Sequence, residues 1–512
     1  VSAVRAQQVT FNLETATIQE INAAFQAGAL TSERLVELYL KRIEAYDQKG
    51  PRLNTVITLN ARALSRARAL DEERRQSGPR SLLHGIPVVV KDLLDTHDMP
   101  TSGGFLPLAK SQPWRDAFVV DRLRKAGAII LAKTNQSDWF GKAEFGASSL
   151  AGQVQNPYKL GYTPGGSSSG TGAAVAAYFA SAGLGTETTT SIRNPSSENN
   201  LFGLAATQGL VSRGGILSNS FTLERAGPMA RSVYDVAAVL SIIAGFDPED
   251  LVTQTSIGKI PAQGYTSFVD PEGLRGARIG VLRDLFSSTP QEKEGVALIE
   301  AAVADIRDQG AFILDPVTSG LDLYPIIRNE RVGYFEKKLT TQMYLDRLGP
   351  GAIFRSLGEM IEKHPDLIRA HLPERNQVGA LDQEAEYISL LKTRRVMRRL
   401  MVSLMDEYQL DALIYPFKTL PAWEISEAMT SSDWLERIGA QAYNPLSSMT
   451  GLPALVAPAG LTREGLPIAL EFLGRPYSEP TLIRLASGYE HSTRHRKTPP
   501  STPPLPGEIV PY

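Results

Sequence analysis

The residues with the clearest chemical potential are one lysine and two serines. Lys91 follows the apolar run at residues 86–90, Ser167 lies in a Gly/Ser-rich segment, and Ser191 ends a hydroxyl-rich stretch. A lysine at the end of a buried strand is a candidate desolvated base, because desolvation lowers its pKa and favours the neutral amine. A lone lysine there is more often a surface charge. The hypothesis of nucleophilic chemistry therefore rests on the combination of this lysine with the two serines.

Three other interpretations compete for the Gly-Gly-Ser-Ser-Ser-Gly segment at residues 165–170: a flexible linker, a phosphate-binding loop and a nucleophile elbow. A flexible linker would not run directly into the apolar residues 173–182, and a phosphate-binding loop needs lysine where Thr171 stands. A nucleophile elbow would centre on Ser168, but it requires a preceding strand and a downstream histidine. A loop-like segment precedes it instead. The downstream histidines lie in charged or basic sequence: His364, His371, His491 and His495.

Several motifs, in order along the chain, resemble those of the amidase signature hydrolases. Residues 84–92 resemble that family's lysine strand, residues 164–170 its Gly/Ser-rich segment, and residues 185–193 its nucleophile loop. Further similar stretches lie at residues 131–135, 226–232, 451–454, 465–467 and 473–476. The resemblance covers residues 15–250 and 408–490, and so many ordered motifs are hard to obtain by chance.

This resemblance implies that Ser191 is the nucleophile, Ser167 the bridging serine and Lys91 the base. Neutral Lys91 would accept a proton from Ser167, which would accept one from Ser191. The relay would then protonate the leaving nitrogen, because an amide anion is a very poor leaving group. The resemblance also implies a cis Gly166–Ser167 bond. Backbone N–H groups would form an oxyanion hole at Thr188, Thr189, Thr190 and Ser191.

The nucleophile loop departs from the family pattern at three positions, Glu187, Thr189 and Thr190. The family usually has Asp-Thr-Gly-Gly-Ser, whereas this chain has Glu187, three threonines and Ser191. Threonine tolerates positive φ poorly and adds bulk where glycine adds none. Either Thr189 and Thr190 have ordinary φ values or the loop is rebuilt, and the acyl pocket is expected to be narrower or more polar. Glu187 is expected to pair with Arg193 and brace the loop, unless the two form only a surface ion pair.

The elements that must position these residues indicate an α/β fold. Short apolar runs typical of strands occur at residues 86–90, 128–132, 278–282, 311–314, 412–415, 454–457 and 468–472. Helical patterns at residues 117–125 and 232–244 lie between some of them, and this alternation predicts a mainly parallel or mixed sheet. We expect a single large domain over residues 1–512, with a central mixed sheet flanked by helices, and the resemblance implies the amidase signature fold.

Two segments stand apart from this alternation. Residues 322–407 are charged and helical, which predicts a helical insertion that covers part of the sheet. An arginine cluster in it is expected to be a solvated helix face rather than a binding site: Arg394, Arg395, Arg398 and Arg399. The tail at residues 498–512 holds six prolines, which favours an extended segment, either packed on the surface or loose.

Composition excludes several classes of protein. The 512 residues carry a net charge of −2, which argues against nucleic-acid binding, and no apolar run reaches the roughly 18 residues of a membrane span. Without cysteine there is no thiol nucleophile or thiolate metal site, and the six histidines are scattered. We therefore expect neither metal nor cofactor. Residues 1–13 show no signal-like pattern, so the cytoplasm is the default compartment, for a monomer or homodimer.

Three functions remain open from the sequence. The first is a free-standing amidase that cleaves small amides or anilides, and also esters or carbamates (urethanes), because each passes through a similar tetrahedral oxyanion. The second is the glutaminase subunit of a tRNA-dependent amidotransferase, against which the unusual Thr189-Thr190 turn and the helical insertion weigh. The third is a non-catalytic binding protein on the same scaffold, which the presence of all three triad residues disfavours.

Overall fold

The computed structural model describes residues 10–142, 145–286, 289–425 and 444–511. Its strands are β1 (Thr10–Asn12), β2 (Val56–Leu59), β3 (Pro87–Lys91), β4 (Ile129–Thr134), β5 (Ala147–Ser148), β6 (Gly152–Gln153), β7 (Ala182–Glu187), β8 (Phe202–Ala205), β9 (Arg225–Ala230), β10 (Arg278–Leu282), β11 (Phe312–Val317), β12 (Ala412–Lys418), β13 (Ala454–Leu461), β14 (Pro467–Leu473) and β15 (Ile509–Pro511). Within the described ranges, no helix combines the length and the apolar composition needed to cross a bilayer.

Eleven of these strands form one central sheet in the order β11-β10-β12-β14-β13-β8-β9-β7-β3-β4-β2. β10 runs parallel to β11 and β12, and β3 runs parallel to β4 and β7. The remaining neighbours in the sheet are antiparallel. The predicted mixed sheet is therefore confirmed. The small pairs β1–β15 and β5–β6 are separate from it.

Helices pack around this sheet. They are α1 (Ile18–Gln26), α2 (Ser32–Ile43), α3 (Ala63–Ser77), α4 (Phe118–Lys125), α5 (Ser169–Ala176), α6 (Arg193–Glu198), α7 (Val233–Ile243), α8 (Lys293–Asp308), α9 (Leu323–Arg328), α10 (Val332–Leu348), α11 (Leu357–Lys363), α12 (Leu372–Gln377), α13 (Ala385–Glu407), α14 (Leu446–Thr450) and α15 (Glu479–Thr493). The helix α2 begins after Thr31, whose side chain accepts the Arg34 N–H. Ser32 is the first helical residue.

All seven predicted strands are present, but β2, β7, β8 and β9 were not predicted. β7 has the sequence Ala-Gly-Leu-Gly-Thr-Glu, and β9 contains glycine and proline. Such residues are depleted in strands and give no alternating pattern when both faces are buried. The apolar stretch at residues 173–182 does not form one helix. The helix α5 ends at Ala176, and the strand β7 begins at Ala182.

The region at residues 322–407 is helical, as predicted, and comprises α9 to α13. On α13, Met397 and Met401 are buried in one cluster with Leu413 and Leu473 of the sheet, so this helix covers part of the sheet. The expectation of a solvated arginine face is wrong in part. Arg394 donates to the Gln208 side chain and Arg398 to the Thr450 carbonyl, whereas the other two arginines are exposed. The division of the chain into core and insertion stays a prediction.

The proline-rich tail is packed against the fold. Glu508 forms a buried ion pair with Arg42 of α2 at 2.8 Å. The same guanidinium donates to the Thr502 carbonyl at 2.7 Å, and β15 pairs with β1. Of the two arrangements that the sequence left open, the structure therefore has the packed one up to residue 511.

Candidate active site

Lys91 is the last residue of β3, which lies between β4 and β7 and is buried along its whole length. Its Nζ donates to Ser167 Oγ at 2.6 Å and to Thr186 Oγ1 at 3.2 Å. Burial lowers the pKa of Lys91 to about 7, although the carboxylates of Glu224 and Glu187 act in the opposite direction. An amine with this pKa is largely deprotonated above neutral pH, which is the form that can accept a proton.

Ser167 is held two residues before α5 by a tight backbone. The Gly166–Ser167 bond is cis, as the resemblance implies. Gly165 has φ +76°, and a Cβ there would lie 3.0 Å from Pro195 Cα, so a side chain would have no room. The Gly/Ser-rich segment thus forms a close-packed turn that places the Ser167 hydroxyl at Lys91.

Ser168, the centre of the alternative nucleophile elbow, is fully buried. Its hydroxyl donates to the Thr186 carbonyl at 3.1 Å and accepts the Thr186 N–H at 3.3 Å. A side chain used in this way fixes β7 to the start of α5 and presents no oxygen to a substrate. The geometry therefore opposes the elbow interpretation.

Ser167 and Ser191 line one cavity of about 180 Å³. Its other lining residues are Ser137, Asp138, Trp139, Phe145, Gly166, Thr188, Thr189, Thr190, Asn194, Asn219 and Arg369. The structure brings together the three residues that the sequence singled out. However, among the described residues no hydrogen bond joins Ser191 Oγ to Ser167 Oγ. The expected hydrogen-bonded chain is present only in its Lys91–Ser167 half.

The turn at residues 188–191 keeps ordinary backbone geometry despite its threonines. None of its residues is among the described residues with positive φ. Thr189 and Thr190 therefore have ordinary φ values, which is the first of the two alternatives that the sequence left open. The N–H groups of Thr189, Thr190 and Ser191 donate no hydrogen bond to any described residue. They remain available to an oxyanion in the cavity that these residues line.

A buried charge cluster braces this turn. Glu187 pairs with Arg193 at 3.0 Å and with Arg225 at 2.6 Å, and it accepts the N–H groups of Ile192 and Arg193. Burial by itself raises the pKa of Glu187, but the two guanidiniums outweigh it and lower the pKa. Arg193 also donates to the Thr189 carbonyl at 2.7 Å. The pair is therefore not the surface ion pair of the alternative interpretation, although its contribution to activity stays a prediction.

Sequence reasoning missed several residues of the cavity wall. The Trp139 ring centroid lies 5.5 Å from Lys91 Nζ. Asn194 is only 4% exposed, and its Oδ1 has no hydrogen-bond partner among the described residues. Asn219 and Arg369 come from a loop before β9 and from the segment between α11 and α12. These positions carry no local motif, so only their meeting in space identifies them.

The histidines lie outside this cavity, and none of the residues that line it is a histidine. His495 pairs with Asp305 at 2.8 Å, and His364 packs edge-on against Phe105 and Phe354. The part of the chain that the structure describes contains no cluster of three or more His, Cys, Asp or Glu side chains arranged to hold a metal ion.

Comparison with known proteins yields consistent matches over nearly the whole chain. The family model described as Amidase matches residues 34–483. A probable amidase of Arabidopsis thaliana is 33% identical over 514 residues, covering 96% of this chain and 92% of the relative. A glutamyl-tRNA(Gln) amidotransferase subunit of Ralstonia pickettii is 31% identical over 513 residues, covering 95% of this chain and 99% of the relative.

The solved structures give the same result at the level of the fold. The native peptide amidase of Stenotrophomonas maltophilia superimposes with a TM-score of 0.84 at 38% identity, and the match covers 95% of this chain and 98% of that one. The agreement extends across the central sheet and its helices rather than to one motif. The chain therefore belongs to the amidase signature family and is a hydrolase of amide C–N bonds.

Proposed function

We propose that the protein cleaves small amides through a covalent acyl-enzyme on Ser191, with Ser167 as the bridging residue and Lys91 as the base. The observation that carries this proposal is the 2.6 Å contact between Lys91 Nζ and Ser167 Oγ, in a cavity that Ser191 also lines. A buried lysine with a pKa of about 7 supplies a neutral amine without a histidine.

In the acylation step, Lys91 takes the Ser167 proton as Ser167 takes the Ser191 proton. Ser191 Oγ attacks the substrate carbonyl and forms a tetrahedral oxyanion, which the free N–H groups of residues 189–191 would stabilise. The proton then returns through Ser167 to the leaving nitrogen, and the C–N bond breaks. This sequence requires Ser191 Oγ to reach Ser167 Oγ when substrate is bound, and catalytic hydrogen bonds are often looser in free enzymes.

Deacylation repeats the relay with water in place of the amine. Water attacks the Ser191 ester while the Ser167–Lys91 pair accepts its proton, and the serine is protonated as the acid leaves. No step requires a metal or cofactor, because the relay supplies both the base and the acid.

For the substrate, we propose a small amide whose acyl part carries peptide-like polar groups. Side-chain amides and a guanidinium, from Asn194, Asn219 and Arg369, line the cavity and match carbonyl and N–H groups better than a purely apolar acyl chain. The similarity to a peptide amidase supports the same choice. Esters and carbamates stay chemically accessible. The protein is proposed to act as a cytoplasmic monomer or homodimer without nucleic acid.

A matched substrate panel tests this proposal. A primary amide, a p-nitroanilide and an ester should share one acyl group, in one series peptide-like and in another a plain alkyl chain, and each series should include an aryl carbamate with the corresponding substituent on its nitrogen. We expect hydrolysis of the amides, with the peptide-like series preferred in kcat/KM. Turnover of the carbamate or ester alone would contradict amide hydrolysis as the main activity.

The glutaminase function is the second candidate, because glutamyl-tRNA(Gln) amidotransferase subunits are similar over almost the full chain. Release of ammonia from glutamine can be measured with the protein alone and compared with the primary amides of the panel. A clear preference for glutamine over peptide-like amides would favour that candidate over a free-standing amidase.

Activity is expected to rise with pH along a limb whose midpoint lies near the Lys91 pKa of about 7. Only neutral Lys91 can accept a proton, so activity should fall as pH drops below that value and reach a plateau above it. The kcat/KM profile on an amide substrate, at constant ionic strength, measures this limb. A rate that is flat or declining as pH rises through neutrality would remove Lys91 from the role of base.

A further inference from the structure

Glu224 is a buried carboxylate beside the proposed catalytic turn. It directly precedes β9 and is 1% exposed. Its Oε2 accepts three hydrogen bonds, from Thr188 Oγ1 at 2.7 Å, Ser218 Oγ at 3.1 Å and the Asn219 N–H at 3.2 Å. Two of these partners, Thr188 and Asn219, line the catalytic cavity. Glu224 therefore joins two walls of the cavity through one oxygen.

The strand register explains why Glu224 and Lys91 act on the same region. Glu187 pairs with Arg225 across β7 and β9, which places Glu224 opposite Thr188. Thr186 belongs to β7, and Thr188 directly follows the end of this strand. Lys91 Nζ contacts Thr186 Oγ1, and Glu224 contacts Thr188 Oγ1. The amine and the carboxylate thus bind threonines two positions apart, one at the end of β7 and one at the start of the turn.

The charge of Glu224 is not neutralised by an ion pair with any residue that the structure describes. Its Oε1 has no hydrogen-bond partner in the same part of the chain. The other charges near Lys91 differ in this respect, because Glu187 is paired with two arginines, and Asp92 is paired with Lys133 at 3.1 Å.

A second buried amine completes the surroundings. Lys337 Nζ on α10 lies 4.7 Å from the Trp139 ring centroid, and Lys91 Nζ faces the same ring. Burial lowers the pKa of Lys337 well below its usual value, whereas the Glu224 carboxylate acts in the opposite direction. Of the two carboxylates that act on the Lys91 amine, Glu224 and Glu187, only Glu224 has no ion pair among the described residues.

We propose that Glu224 is a positioning residue for amide cleavage, which holds the catalytic turn through Thr188 and sets the electrostatic environment of the Lys91 amine. The inference rests on the proposed function of Lys91 as base. It assigns two separable contributions, a hydrogen bond to Thr188 and a negative charge. The negative charge favours the protonated lysine and so acts against burial, keeping the pKa of Lys91 from falling further.

The charge is tested by Glu224→Gln, which keeps an acceptor oxygen for Thr188 and removes the carboxylate. The acidic limb of the kcat/KM profile should move to lower pH by about one pH unit, because Lys91 loses its proton more easily. Glu336→Gln is the matched control. Glu336 is also buried and binds the same loop through Ser220 and Thr222, but it contacts no residue of the turn. Its midpoint should stay at the wild-type value.

The hydrogen bond is tested by Thr188→Val, which keeps the shape and the backbone N–H but removes the hydroxyl. We expect the plateau kcat to fall about tenfold with an unchanged midpoint, because a loss on this scale corresponds to one hydrogen bond to a charged group. This variant leaves the Glu224 side chain intact, so it remains informative if Glu224→Gln does not fold. A Thr188→Val plateau equal to wild type would overturn the positioning contribution.

The result for the wild-type protein separates this inference from the proposed function. If wild type shows no limb near neutral pH, the role of Lys91 as base fails whatever the variants do. If wild type shows the limb and folded Glu224→Gln has the same midpoint, the electrostatic role of Glu224 is wrong and the proposed function stands. A shift in Glu336→Gln equal to that in Glu224→Gln would also overturn the specific role of Glu224.

Discussion

Ser191→Ala is expected to lower kcat for amide substrates on the order of 10⁶-fold, as removal of a serine nucleophile does elsewhere. The reason is that the acyl-enzyme cannot form without Ser191 Oγ, whereas the remaining N–H donors only bind substrate. Ser191 is partly exposed in the cavity and makes no side-chain hydrogen bond to a described residue, so the fold should persist. Product chromatography measures the loss of rate, and circular dichroism with a melting curve shows whether the fold persists.

Ser168→Ala is the matched control for this experiment. Ser168 lies next to Ser167, but its hydroxyl is bound to the Thr186 backbone. Its loss should cost stability on the order of 1 kcal/mol for the missing hydrogen bonds. The acyl-enzyme should still form, and mass spectrometry of the quenched enzyme would detect the acyl group on the peptide that contains Ser191. An acylated Ser191→Ala protein would place the nucleophile elsewhere, with Ser168 as the first alternative.

Lys91→Ala is expected to lower the rate on amides by about 10³-fold or more, which is within the range of general acid–base catalysis. The loss should be smaller on an activated ester with the same acyl group, because a good leaving group needs no proton from the relay. Ester acylation still requires Ser191 to lose its proton, so the ester rate should fall as well. Matched amide and ester substrates, measured at the pH plateau, give the ratio of the amide rate to the ester rate in each protein.

Lys133→Ala is the corresponding control on the neighbouring strand. Lys133 is also fully buried, but it pairs with Asp92 and donates to Thr101 Oγ1 at 2.8 Å. Removing it leaves Asp92 uncompensated and should lower the melting temperature, since breaking a buried pair costs about 3–5 kcal/mol. The amide-to-ester ratio should stay that of wild type. Equal losses on amide and ester in Lys91→Ala would mean that Lys91 positions the turn and moves no proton.

The sequence by itself determined the α/β class and the seven strands with clear apolar runs, and the resemblance of its motifs to the amidase signature family implied the three residues proposed for catalysis. These predictions rested on local patterns. A run such as Pro-Val-Val-Val-Lys indicates a buried strand wherever it lies in the sheet, and the ordered motifs around Lys91, Ser167 and Ser191 are contiguous in the chain. The pairing of Glu187 with Arg193 was also within reach, because the two residues are six positions apart on either side of one turn.

Only the tertiary structure decided which segments that are distant in sequence become neighbours in the fold. The strands β7 and β9 are rich in glycine and alanine, and they form strands because their neighbours bury both faces, a cause that no local pattern contains. The same holds for Glu224, whose meeting with Thr188 depends on the β7–β9 register, and for Asn194 and Arg369 in the cavity wall. Desolvation of Lys91 is likewise a property of the surrounding sheet and helices, because a pKa depends on what excludes water from the amine.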